Sequence, residues 1–128
     1  MKTRFLGILF LSGLYVASGV GAAQSPNSAA TEECLGCHAG LHPGIVEGWK
    51  KSRHAATTPG QAAAVEGLAL KVTSRAIPEA LKGVTVGCAE CHTLRADAHQ
   101  GSFDHNGANI HVVVSPKDCA TCHTEEAQ

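Results

Sequence analysis

The sequence predicts a mainly α fold with long loops and little sheet, and one that must take its buried apolar surface from something other than its side chains. Three observations lead there. Outside the first 23 residues the only aromatic residues are Trp49 and Phe103, too few to fill a core in a chain this small. The helical patterns are short and repeatedly stopped by Gly and Pro. One five-residue frame, C-x-x-C-H, occurs three times, as "CLGCH" (34–38), "CAECH" (88–92) and "CATCH" (119–123).

The chain opens with Lys2 and Arg4, an apolar run over 5–20, and small residues at 21–23. This is the layout of a cleaved secretory signal peptide over residues 1–23. It implies a periplasmic or otherwise exported location and no stable membrane span after cleavage. The working domain is then 24–128, of one-domain size. Removing Lys2 and Arg4 from the 10 basic residues leaves eight against 11 acidic ones, a net charge of −3. No basic patch suggests nucleic acid.

"GIVEGWKKSRHA" (44–55) reads as a short helix with Ile45, Val46 and Trp49 as its apolar stripe and His54 at its end. "TTPG" (57–60) breaks the chain. "QAAAVEGLALKV" (61–72) reads as a helix despite Gly67, and "IPEALKG" (77–83) as a helical turn stopped by Gly83. "DAHQGSFDHNGAN" is read as a polar loop able to wrap over a flat ligand, and "NIHVVVS" as an extended apolar run. "SPKD" (115–118) predicts a helix start, with Ser115 as cap, Pro116 at the first position and Asp118 closing a capping box. The third C-x-x-C-H should ride on that helix.

Export makes disulfides the first reading of six cysteines, but a disulfide framework has no use for a histidine after every pair. With 8 His in 128 residues, three such histidines by chance are about a one-in-4,000 event. A zinc site uses two C-x-x-C pairs, leaves the third over, and has difficulty using adjacent Cys and His on one ion. A redox C-x-x-C occurs once, on another pattern. Covalent haem c attachment uses every residue: two thiols form thioethers with haem, and the following histidine ligates iron. Three haems are expected, on Cys34, Cys37 and His38; Cys88, Cys91 and His92; and Cys119, Cys122 and His123. The haems would form the core, and without them the chain should not fold compactly.

Met1 is the only methionine and leaves with the signal peptide, so the sixth iron ligand should be histidine and the potentials low. His54, His99 and His105 are favoured as distal ligands, and His111 is an even candidate. His42, four residues from His38 and before Pro43, is read as a non-ligand. Only five residues follow His123, so the third haem is the one most exposed to lacking a sixth ligand.

"CLGCHAGLHPGIVEGWKKSRHA", "GVTVGCAECH" and "DHNGANIHVVVSPKDCATCH" resemble the N-terminal three-haem part of the octahaem cytochromes of the hydroxylamine oxidoreductase type, over about residues 33–126. The resemblance implies bis-histidine electron-carrying haems and places His54, His99, His105 and His111 where axial histidines are expected. It departs where the family continues into five more haems. No C-x-x-C-K variant is present, and Tyr15, the only tyrosine, lies in the leader, so no catalytic residue carries over. The expected function is a triheme electron relay between redox protein partners, with other haem subunits as further candidate partners, and not an enzyme in its own right. The alternatives are a part of a hydroxylamine- or nitrite-type multihaem enzyme, and a zinc-bound or disulfide-stapled interaction protein.

Overall fold

In the computed structural model, residues 25–128 are described; the signal peptide expected at 1–23 lies outside them. These residues are mainly helical, at 47% helix and 6% strand, as the sequence predicts. Among them no helix is long and apolar enough to cross a membrane.

Helix α1 (Ala29–Leu41) starts on Ser28, whose hydroxyl accepts the Thr31 amide at 3.1 Å. It carries the first motif on successive turns. It ends at His42, which takes a non-helical φ of −133° and ψ of 57° because Pro43 disfavours the helical region for the residue before it. Pro43 then opens α2 (Pro43–Lys50). Of the expected stripe, Val46 is buried and Trp49 half-buried, but Ile45 is 73% exposed. Adjacent helical residues point about 100° apart, so Val46 and Trp49, at i and i+3, share a face that Ile45 does not. The Trp49 indole donates to the Val86 carbonyl at 2.9 Å, fixing α2 to the irregular segment ahead of the second motif.

Ser52 caps the one-turn α3 (Arg53–Ala56), which holds His54. Thr58 and Gln61 form a capping box on α4 (Pro59–Ala63). The helix expected over 61–72 stops at Ala63. Gly67 sits at φ +61° and a single 3-10 turn, Gly67–Ala69, follows. Leu68 is 95% exposed, so no packed face holds this weakly helical stretch together once glycine admits another backbone state. Helix α5 (Glu79–Lys82) ends at Gly83 as expected and packs on α4 through Gly60.

Helix α6 (Cys88–His92) bears the second motif. Beyond a 3-10 turn at Ala96–Ala98, the stretch read as loop contains a hairpin, β1 (Phe103–His105) with β2 (Ala108–Ile110), in register Phe103 to Ile110. Its turn is Asn106–Gly107, both at positive φ (55° and 85°), the geometry of the two-residue type I′ turn that Asn-Gly favours. Helix α7 (Pro116–Cys119) begins at Ser115. It lasts one turn, so only Cys119 of the third motif is in it, and the His123 amide bonds back to the Cys119 carbonyl at 2.9 Å.

The side-chain core is small: Val46, Val72, Ile77, Ala89 and Ala96 are its buried apolar members. Polar groups join α1 to α6. Thr31, fully buried, donates to Glu90 Oε2 at 2.8 Å and accepts the Ala89 amide at 3.2 Å, while Glu90 also takes the Gly87 amide at 2.8 Å. A Cβ on Gly87 would lie 2.4 Å from Thr31, so glycine is what lets the two helices close on each other.

Candidate functional site

The six motif thiols form no disulfide. Burial pushes the Cys34, Cys88 and Cys122 thiols up and takes Cys91 up to about 11. Among the described residues no cluster of cysteines forms a metal cage. Helix α6 packs on α1, and Cys91 shares a cavity with Cys119 and Cys122, so the second motif adjoins both the first and the third.

An apolar cavity of about 460 Å³ lies beside the third motif, bounded by Cys119, Cys122 and His123, by His54 of α3 and by Cys91. Its size is that of a cofactor site. The motif histidines are oriented from behind. His123 Nδ1 donates to the Lys71 carbonyl at 2.6 Å, and His92 Nδ1 to the His111 carbonyl at 2.8 Å. Carbonyls only accept, so each ring carries its hydrogen on Nδ1 and leaves the Nε2 lone pair for a metal. His38 Nδ1 is 3.1 Å from His42 Nδ1, which gives His42 this orienting role rather than a ligand's.

Whether the residues fit haem is decided by the histidine pairs. Two metal–nitrogen bonds of about 2.0 Å in line, with two ring radii of about 1.1 Å from bonds near 1.33 Å, would put the centroids of two imidazoles on one metal about 6.2 Å apart. His54 and His123 stand at 6.1 Å, and His38 and His105 also at 6.1 Å. Each pairs a motif histidine with a candidate distal one from another part of the chain. The Asn-Gly hairpin delivers His105, and α3 delivers His54. The third motif thus has a candidate facing it from upstream, His54. The donor set fits.

His92 and His111 are also close, with centroids 6.0 Å apart, but the His111 carbonyl accepts from His92 Nδ1, so His111 approaches through its backbone from the Nδ1 side of that ring and not from the side of the Nε2 lone pair. The structure therefore brings His54 and His105 opposite motif histidines and does not bring His99 or His111 there. His111 is 2% exposed and stacks on His99, with centroids 3.6 Å apart and planes at 6°. His99 Nε2 bonds to Asp118 Oδ1 at 2.9 Å, and the amide and hydroxyl of Ser115 donate to Asp118 Oδ2 at 2.7 and 2.8 Å. These bonds, the one from His99 foremost, hold the Asp118 carboxyl well below the usual carboxylate range. Asp118 had a sequence signal only as a cap; its role in joining His99 to α7 had none.

No protein-family model matches the chain, and no curated protein does. It is similar to a solved structure named "Hypothetical multiheme protein", with 41% identity and a TM-score of 0.78 over 82% of this chain. The match covers 20% of that protein, so this chain spans about a fifth of its length. The fold described above is shared with that segment of a larger multihaem protein.

Proposed function

We propose that the chain is an exported electron carrier with three covalently bound haems. The observation that carries the reading is the two histidine couples, His38 with His105 and His54 with His123, with ring centroids 6.1 Å apart in each. Similarity to a multihaem protein supports it, as does the repeated C-x-x-C-H frame. The resemblance to the front of hydroxylamine oxidoreductase-type octahaem cytochromes belongs to the same proposal.

Bound haem supplies one-electron chemistry at low potential when both axial ligands are histidine. The chain's residues do the rest. The cysteines tether the rings, carbonyls and His42 orient the proximal imidazoles, and α3 and the hairpin close the opposite faces. Packing of α1 on α6, and the cavity shared by Cys91 with the third motif, set the three sites side by side, which suits a relay between a donor and an acceptor.

A second reading, a part of a multihaem enzyme, is favoured by one observation: His111, whose ring lies 6.0 Å from that of His92, meets it through its carbonyl at Nδ1 and not on the side of Nε2. An iron there would have its sixth position free for a small ligand or for a group from elsewhere in a larger assembly.

Intact mass of the exported protein is expected to show three haems added and the leader lost. Low-temperature EPR of His54→Ala and His105→Ala should each show one haem turned from low to high spin. A colourless protein, or two unchanged spectra, overturns the carrier reading. A high-spin signal in the unaltered protein that shifts with nitrite or cyanide selects the enzyme reading; three inert low-spin haems select the relay alone.

A further inference from the structure

The cluster formed by His99, His111 and Asp118 is left over by the haem sites. One ligand atom from each lies within 4.8 Å of the others. His111 is 2% exposed, yet neither of its ring nitrogens has a hydrogen-bond partner. A buried imidazole with two unmet polar atoms costs about 1–3 kcal/mol for each, and such a group calls for a ligand.

We propose that His99, His111 and Asp118 form a binding site for one divalent transition-metal ion of the zinc class, separate from the haems. The donors are two imidazoles and a carboxylate, the set that suits such ions. Asp118 Oδ1 is 2.9 Å from His99 Nε2, and Oδ2 is 3.7 Å from His111 Nε2. A tetrahedral site with bonds of about 2.0–2.1 Å spaces its donors about 3.3–3.4 Å apart, between those two values. The ion takes the place of the proton that His99 shares with Asp118, and the stacked rings turn to converge on it. Ser115 fixes the carboxylate from behind through two hydrogen bonds, as the outer partners of metal ligands do. A small cavity of about 200 Å³ bounded by His99 and His111, and by Val112 and Val113, opens beside the rings and leaves room for water as the fourth ligand.

The site would tie the loop after the second motif to α7, which begins the third. The test is made on the haem-loaded protein. After incubation with zinc and dialysis, elemental analysis should give one zinc per chain beside three irons. His99→Ala, His111→Ala and Asp118→Asn should each lower zinc affinity at least tenfold and leave the haem absorption and EPR signals in place. If zinc fails to bind, or stays with unchanged affinity in His111→Ala, the proposal is wrong. It is equally wrong if His99→Ala or His111→Ala turns a haem high-spin, since that histidine then serves an iron. Asp118→Asn, which keeps the side chain's shape, decides the matter should an alanine variant not fold. Loss of the haems themselves would show in the iron count and would count against the carrier reading instead.

Discussion

Thr31→Val offers a measured test of how the first and second motifs are held together. The exchange keeps the shape and removes the hydroxyl. Glu90 Oε2 then loses a 2.8 Å donor and the Ala89 amide loses its 3.2 Å acceptor, both in a fully buried setting. A hydrogen bond to a carboxylate is worth about 1.5–3 kcal/mol, and an orphaned buried amide costs about 1–3 kcal/mol, with the longer bond at the low end. The added methyl returns about 0.8 kcal/mol. The expected net loss is about 2–4 kcal/mol. The assay is denaturant unfolding of the haem-loaded protein, followed in parallel by far-UV circular dichroism and Soret absorbance. Thr31→Ser, which keeps the hydroxyl, should lose less than half as much. If Thr31→Val unfolds at the wild-type midpoint, or Thr31→Ser is equally damaging, the buried hydroxyl is not what joins α1 to α6.

Gly87→Ala places a Cβ 2.4 Å from Thr31; the overpacking should cost about 1–3 kcal/mol in the same unfolding assay, and the double variant with Thr31→Val should not be additive. Gly107→Ala forces a side chain to φ +85° in the Asn-Gly turn, at about 1–2 kcal/mol. Because that hairpin carries His105, EPR should show the first haem partly high-spin while the third stays low-spin. In a host unable to attach haem c, the exported chain should lack helical circular dichroism and be digested rapidly by protease, because the buried apolar core among the described residues amounts to five side chains. A haem-free chain with native helicity and protease resistance would contradict that.

The sequence alone determined the parts that local chemistry dictates. Three C-x-x-C-H frames mark the proposed haem attachment points wherever the chain places them. Ser28, Pro43, Ser115 and Gly83 start or stop helices through backbone geometry that their own side chains impose. The Asn106–Gly107 hairpin was legible by the same local logic, although the surrounding polar residues read as loop. The helix over 61–72 failed because alanine propensity is weak where no partner face exists to be buried, as fully exposed Leu68 shows. Only the tertiary structure decided which histidine faces which. His54 meets His123 across 69 positions of chain and His105 meets His38 across 67, while His99 and His111 turn to Asp118. Spacing in sequence carries no record of such distances, because a histidine looks the same whether iron, a carboxylate or another ring awaits it; packing brings the partner, and the partner sets the role.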